Sequence, residues 1–117
     1  MDANIGIYIL IGAAVAFFAY RAIANRKGSP ALVREKIGSG ALVVDVRTPG
    51  EYRSGSYPKA RNIPLDALSA RMRELPKDKP IVLFCASGSR SGQAARLLKR
   101  AGFGDVVSAG GLSDMPR

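Results

Sequence analysis

The sequence predicts an α/β domain with a mostly parallel sheet and helices on both faces, preceded by one N-terminal transmembrane helix. Three short runs of branched apolar residues alternate with segments of helical spacing, a pattern typical of parallel strands joined by helices. The chain has 117 residues, one Cys and no His. This length allows one domain. The composition excludes a disulfide framework, the usual zinc sites and catalysis by a Cys–His or Ser–His pair.

The first segment predicts a helix that crosses a membrane. No charged residue occurs from Ala3 to Tyr20, and a helix over residues 5–24 would be roughly 30 Å long, about the thickness of a bilayer core. Basic residues such as Arg26 and Lys27 follow it, so the positive-inside rule places the rest of the chain on the cytoplasmic side. We therefore predict a single-pass membrane protein with a cytoplasmic domain.

A cleaved signal peptide is the alternative interpretation of this segment. Signal peptides begin with a basic region, whereas this chain begins with Met-Asp-Ala-Asn, which is acidic. The spacing of Gly12 and Ala16 permits close pairing of two such helices and predicts a weak homodimer. The expected organisation is a transmembrane helix over residues 1–24, a linker over 25–28 and a domain over 29–117.

The first half of the domain predicts a helix, a buried strand and less regular segments. Ser29 and Pro30 are typical of a helix start and Gly38 of a helix end, so residues 31–37 predict a short helix. A buried strand is predicted at residues 41–46, which read ALVVDV. The segments that follow are a turn at 48–50, a helical turn at 51–54 and a short strand at 60–63.

The second half predicts two helices and two strands. Apolar residues at helical spacing predict a helix over residues 65–75. The run at 81–85, which reads IVLFC, predicts a second buried strand. A helix is expected over 91–102, with Ser91 as its N-cap, and a third clear strand over 105–108.

Cys85 lies where a parallel sheet binds ligands, at the carboxyl end of a buried strand. The amides of the small residues after it, together with the start of the next helix, can form an anion-binding cradle. These residues are Ala86, Ser87, Gly88 and Ser89. A thiol in such a cradle has a lowered pKa and becomes a nucleophile without a histidine. Arg90 adds a fixed cation and a bidentate grip on an oxyanion. A small buried core Cys is the structural alternative.

Four blocks of the sequence resemble, in order, a single-domain rhodanese, which is a sulfurtransferase. The blocks read VVDVRTPGEY, GSYPKARNIPLDAL, CASGSRSGQAARLL and VVSAGG, and they cover most of residues 29–111. The resemblance implies a rhodanese-like fold and a thiosulfate:cyanide sulfurtransferase activity without a cofactor or a metal. Cys85 would take the sulfane sulfur of thiosulfate, hold it as a persulfide cradled by residues 86–90, and pass it to cyanide or a thiol. Arg90 would bind the sulfonate oxygens.

Asp45 and Arg47 belong to the first block and face the same side of a strand. We expect them to form a structural ion pair or to lend positive potential to the site, with Glu51 in the same network. The sequence departs from the family at Ser56, where His is usual, and at Ala86, where many relatives carry Arg. Relatives commonly have a further helix after the double glycine, so the final helix here is expected to be very short or missing.

Two other functions remain open from the sequence. Related cysteine phosphatases carry five residues between Cys and Arg, but four separate Cys85 from Arg90 here, which favours sulfur transfer. A non-catalytic membrane-tethered rhodanese module that binds a partner or senses a sulfur or redox state is an alternative of a different class. The net charge of +9 favours anionic substrates, an acidic partner or anionic lipid. The basic residues are scattered, which argues against nucleic acid.

Overall fold

A four-stranded parallel sheet forms the centre of the domain, with the spatial order β2-β1-β3-β4. The structure is a computed structural model that describes residues 3–24 and 27–117, so Asn25 and Arg26 of the expected linker lie outside the described residues. The strands are β1 (Leu42–Asp45), β2 (Arg61–Asn62), β3 (Ile81–Cys85) and β4 (Val106–Gly111). The helices are α1 (Ala3–Ala24), α2 (Pro30–Gly38), α3 (Pro49–Arg53), α4 (Leu65–Arg71) and α5 (Ser89–Arg100).

Helices cover both faces of this sheet. Helices α4 and α5 pack on one face, in a core that includes Leu68, Leu83 and Leu98. Helix α2 and the segment after β4 pack on the other face, around Val82 and Phe84. Every residue of β3 is buried, as expected of a central parallel strand that is covered on both faces. The predicted α/β fold with a parallel sheet and flanking helices is therefore confirmed.

Local sequence signals explain where two of the helices begin. The Ser29 side chain accepts a hydrogen bond from the Leu32 amide at 3.1 Å, and Pro30 occupies the first turn of α2. Thr48 and Glu51 form a reciprocal capping box at the start of α3. The capping box fixes Glu51 on the loop after β1, which lies at the carboxyl edge of the sheet.

The predicted N-cap of α5, Ser91, is wrong by three residues. The helix begins at Ser89, and Gly88 precedes it as the N-cap with φ +106°. Glycine adopts this left-handed conformation without strain, so the helix starts as soon as the chain has turned. Ser91 consequently lies inside the first turn, fully buried, and its hydroxyl contacts other groups than the helix start. The helix also ends at Arg100 rather than at residue 102.

Other boundaries differ by a few residues. Helix α4 ends at Arg71 and continues as a 3₁₀ turn, Met72–Glu74, instead of running to residue 75. Strand β4 extends through the double glycine to Gly111. A second 3₁₀ turn, Leu112–Asp114, follows it.

The predicted transmembrane anchor over residues 5–24 and the single-pass membrane localisation are corrected by the structure. Helix α1 forms, but within residues 3–24 and 27–117 no helix is long and apolar enough to cross a membrane. The apolar stretch between Asn4 and Arg21 has about 16 residues, or roughly 24 Å of helix, whereas a span needs about 20. The placement of the domain on the cytoplasmic side was derived from that span and is wrong with it. The described residues also give no support for a homodimer.

A substitution of Leu68 tests the packing of α4 against the sheet. Its side chain is fully buried in the core beneath the carboxyl edge, so Leu68→Ala should lower the free energy of unfolding by about 2–5 kcal/mol. Leu32→Ala is the control, since Leu32 is 37% exposed and should lose less than about 1 kcal/mol. Urea unfolding of both variants measures the difference, and equal losses would contradict this packing.

Candidate active site

Cys85 ends β3 and has no exposed surface. Its backbone pairs with Gly111 in β4, and its side chain belongs to the core that α4 and α5 cover. The chain then turns through residues 86–88 into α5. The sulfur is therefore enclosed between the end of the sheet, this turn and the first turn of the helix.

Backbone amides converge on the Cys85 sulfur. The Gly88 amide donates a hydrogen bond to Sγ at 2.9 Å, and the Ser91 amide does so at 3.4 Å. The Ser91 hydroxyl oxygen lies 3.6 Å from Sγ. Amides at the start of a helix carry partial positive charge, so this arrangement is a binding site for a negatively charged sulfur.

Two opposing effects decide the pKa of the Cys85 thiol. Burial raises the pKa, because it removes water from the charged form. Hydrogen bonds from the Ser91 hydroxyl and from the amides of Ser91, Gly88 and Ser87 lower it, and together they outweigh burial. The net result is a thiol with a pKa below its ordinary value, as a nucleophile without a histidine requires.

The double glycine at the end of β4 lets the loop approach the sheet closely. A Cβ on Gly111 would collide with the carbonyl oxygen of Ala86, and a Cβ on Gly88 would lie 3.3 Å from the Cα of Gly110. Gly110 itself has φ +99°, which favours glycine. Side chains at these positions would push the loop away from the strand and from the sulfur that its amides surround.

Arg90 is held by a carboxylate. Its Nη1 and Nη2 atoms donate to Oε1 and Oε2 of Glu51 at 2.7 and 3.0 Å. The Arg90 pair, followed by the hydrogen bond from the Thr48 amide, lowers the pKa of Glu51 from 4.5 to about 2. The guanidinium that was expected to bind substrate oxygens is thus paired within the chain, and the loop is tied to α3.

Asp45 and Arg47 form a second ion pair, which is buried. Arg47 Nη2 donates to Asp45 Oδ2 at 2.7 Å and to the Gly55 carbonyl at 2.7 Å, and Nε donates to both carboxylate oxygens. Ser56 donates to Asp45 Oδ2 at 2.9 Å, so it takes part in this network. The pair ties the end of β1 to the chain that follows α3.

Of the expected site residues, Ser87 and Gly88 direct their backbone amides at the Cys85 sulfur. The side chains of Arg90 and Arg47 pair with carboxylates instead. Ala86, Ser87 and Ser89 are exposed on the loop, and Gly88 is partly buried beneath it. Sequence reasoning missed Glu51 as the partner of Arg90, although the Thr48–Glu51 capping-box spacing was visible. It also missed the Ser91 and Ser108 hydroxyls, because no local pattern indicates that two serines 17 positions apart meet. In the described part of the chain, no cluster of three or more His, Cys, Asp or Glu could hold a metal ion.

A family model described as the rhodanese-like domain matches residues 29–115. The chain belongs to the rhodanese family. A sulfurtransferase of Allochromatium vinosum is 43% identical over 60% of this chain, and the match spans 65% of that protein, less than two thirds of its length. The protein YqhL of Bacillus subtilis is 32% identical over 92% of this chain and 88% of its own length. The thiosulfate sulfurtransferase PspE of Escherichia coli is 36% identical over 62% and 71%.

Solved rhodanese structures share the fold. A rhodanese-related protein from Thermoplasma volcanium superposes with a TM-score of 0.65 at 33% identity, over 75% of this chain and 86% of that one. A rhodanese from E. coli, solved with anions, has a TM-score of 0.62 at 34% identity, over 66% of this chain and 95% of that one. The family match and these structures agree that this part of the chain is a rhodanese domain.

The Glu51–Arg90 pair should make the stability of this rhodanese domain depend on pH. Because the pKa of Glu51 is lowered to about 2 from 4.5, the stabilisation is fully present above about pH 4.5 and is lost as the pH falls through 2. Glu51→Gln should therefore lower Tm most above pH 5, and the difference from wild type should shrink towards pH 2.

Thermal unfolding from pH 6 to pH 2 measures this difference. Glu35→Gln is the matched control, because Glu35 is exposed on α2. Glu74 and Asp114 also have lowered pKa values. These groups are present in every variant, so their contributions to the pH dependence cancel in the comparison. A difference between Glu51→Gln and wild type that stayed constant with pH would contradict the assignment.

Proposed function

We propose that the protein is a sulfurtransferase in which Cys85 takes sulfur from a small anionic donor and carries it as a persulfide. One observation supports this most directly, the convergence of the Gly88 and Ser91 amides on Sγ at 2.9 and 3.4 Å. These bonds favour the thiolate at Cys85, which is the attacking form. Membership of the rhodanese family and the sulfurtransferase relatives support the same chemistry.

Thiosulfate is the donor we propose, since the relatives PspE and GlpE are named thiosulfate sulfurtransferases. In the first step the Cys85 thiolate attacks the outer sulfur of thiosulfate. A Cys–S bond forms to that sulfur, the bond between the two thiosulfate sulfurs breaks, and its electron pair leaves with sulfite. The protein then holds a persulfide anion, so one negative charge stays with the site and two leave with sulfite.

The second step delivers the sulfur to an acceptor such as cyanide or a thiolate. The acceptor attacks the outer persulfide sulfur, the S–S bond breaks, and the electron pair returns to Cys85 as a thiolate. With cyanide the product is thiocyanate. Splitting one transfer into two displacements is covalent catalysis, for which ping-pong kinetics are expected.

Loop amides and Arg90 would recognise the donor. The amides of Ser87, Gly88 and Ser91 point towards the sulfur. Arg90 would bind the sulfonate oxygens of the donor if its guanidinium gave up one of its two hydrogen bonds to Glu51. Cys85 has no exposed surface, so the donor reaches Sγ only when the loop opens. The exposed Ala86 and Ser87 form the outer side of that loop.

A non-catalytic rhodanese module is the second candidate function. The full burial of Cys85 and the bidentate pairing of Arg90 with Glu51 favour it, because both limit access and donor binding. In that case the loop would serve as a partner-binding or redox-sensing element. The two candidates differ in whether Cys85 gains sulfur from a donor.

Incubation with thiosulfate distinguishes the two candidates. The full chain should gain one sulfur atom and release one equivalent of sulfite, because the lowered pKa of Cys85 supplies a thiolate. Intact mass spectrometry and a sulfite assay measure both products. Cys85→Ser is the control and should show neither. Thiosulfate that left the wild-type mass unchanged would favour the non-catalytic module.

Substitutions of Arg90 and of Glu51 should change the KM for thiosulfate in opposite directions. Arg90→Gln removes a charged donor and should raise KM by about tenfold or more, whereas Glu51→Gln frees the guanidinium and should lower it. Steady-state thiocyanate formation measures KM and kcat separately. Arg53→Gln, at an exposed arginine of α3, is the control. Unchanged KM values in both variants would mean that Arg90 only supports the loop.

A further inference from the structure

Two buried hydroxyls lie on the core side of the Cys85 sulfur. Ser91 is in the first turn of α5 and Ser108 is in β4, and they are 0% and 5% exposed. Their Oγ atoms are 2.8 Å apart, and Ser91 Oγ is also 3.6 Å from Cys85 Sγ. The three side chains therefore form a row from the last strand to the sulfur.

The Ser91 hydroxyl has one proton and several acceptors within reach. The Gly88 carbonyl oxygen lies at 3.1 Å and the Gly110 carbonyl oxygen at 3.2 Å. The Cys85 sulfur, which as a thiol donates to Ser91 Oγ at 3.6 Å, becomes a further acceptor when it is ionised. A hydroxyl donates only once, so these acceptors compete. A charged acceptor forms a hydrogen bond about twice as strong as a neutral one. The Ser91 proton is therefore drawn to the sulfur when the sulfur is a thiolate.

Ser108 decides whether the Ser91 proton is available. Within the described residues, the Ser108 hydroxyl has one hydrogen-bond partner, Ser91 Oγ. If Ser108 donates, Ser91 keeps its own proton for the sulfur or a carbonyl. If Ser91 donated to Ser108 instead, that proton would be lost to the sulfur and the Ser108 proton would be buried without an acceptor, which is unfavourable. Either hydroxyl could donate on geometry alone, and this difference favours Ser108 as the donor.

An irregularity of β4 gives Ser108 this position. Ser108 pairs with Leu83 in β3, but the next pair joins Phe84 to Gly110, so Ala109 is an extra residue. With this shift the Ser108 hydroxyl and the Gly110 carbonyl both reach Ser91 Oγ. The hydroxyl pair consequently joins α5 to β4 and includes no residue of the loop between Cys85 and α5.

We propose that Ser108 is a positioning residue, which donates to Ser91 and so turns the Ser91 hydroxyl towards the Cys85 sulfur whenever that sulfur is a thiolate. The proposal rests on the proposed function only for the role of Cys85 as the reacting sulfur. During turnover the negative charge moves to the outer sulfur in the persulfide and returns to Sγ when the acceptor attacks. Ser91 would then stabilise Cys85 as the leaving group of the second step.

Charged groups around the loop do not provide an alternative source of the effect. Three ion pairs join the segments around the loop, and helix α5 also carries three basic residues. The pairs are Arg90–Glu51, Arg47–Asp45 and Lys27–Asp114, and the basic residues are Arg96, Lys99 and Arg100. Substitution at Ser108 changes none of these charged side chains. A change in thiolate formation would therefore report on the hydroxyl.

Ser108→Thr and Ser108→Val form a matched test, because the two side chains have the same shape and differ in one hydroxyl. Cys85 is the single cysteine of the chain, so the rate of alkylation by iodoacetamide at each pH reports on its thiolate alone. Ser108→Thr should keep the wild-type profile. Ser108→Val should shift the profile to higher pH and slow alkylation about three- to tenfold on the acid side.

The alkylation rate at high pH distinguishes a loss of hydroxyl positioning from a general disturbance of the site structure. A thiolate with a higher pKa is intrinsically more nucleophilic, so Ser108→Val should react at least as fast as Ser108→Thr once both are ionised. Coincident Thr and Val profiles would overturn the proposal, and so would a Val rate lowered by the same factor at every pH. Thermal unfolding verifies that both variants fold, and Ser113→Ala, at an exposed serine, should leave the profile unchanged.

Alkylation requires no sulfur donor, so this test is independent of sulfur transfer. If the wild type failed to gain sulfur from thiosulfate while the Thr and Val profiles still differed, the proposed function would fail and the role of Ser108 would stand. If sulfur loading succeeded and the two profiles coincided, Ser108 would have no such role.

Discussion

The hydrogen bonds from the loop amides to the Cys85 sulfur are the interactions on which the rest of the site depends. A buried sulfur acquires charge only if donors replace the water it has lost, and this chain contains no histidine to help. The Gly88 amide at 2.9 Å can donate only because Gly88 turns the chain with φ +106° and starts α5 at Ser89. The conformation of one glycine thus sets both the helix start and the reactivity of the thiol.

Ion pairing within the chain determines which cations at the site are free to bind an anion. The chain carries a net charge of +9, yet Arg90 is paired with Glu51 and Arg47 with Asp45. The excess positive charge therefore acts at long range, where such a charge steers anions. Close contact with an anion would depend on the backbone amides and on any guanidinium hydrogen bond that Arg90 no longer makes to Glu51. The same pairs tie Arg90 to α3 and the end of β1 to the chain that follows α3.

The fold could be predicted from the sequence because it follows from local patterns, and the place of the chemistry stays a prediction from the same patterns. The runs ALVVDV and IVLFC, with a loop of small residues after Cys85, predict parallel strands and a ligand site at their carboxyl ends. The start of α5 was misjudged because Ser91 suits an N-cap, whereas a left-handed glycine ended the loop earlier. The partner of Arg90 and the meeting of Ser91 with Ser108 depend on tertiary contacts. The predicted membrane span is wrong because a segment without charged residues crosses a membrane only if its apolar stretch is also long enough.

Because the Cys85 sulfur is buried, a movement that gives a donor access to it also removes groups that stabilise its negative charge. Opening the loop for a donor would weaken the Gly88 hydrogen bond, which belongs to the loop, at the moment when the thiolate must attack. The Ser91 hydroxyl is held differently, because it lies in the first turn of α5 and contacts Ser108 in β4 at 2.8 Å. This hydroxyl belongs to the helix and is bonded to the strand, so it can keep its bond to the sulfur while the loop moves. Under the proposed role of Ser108, the two buried serines would stabilise the thiolate at the moment when the loop amides are displaced.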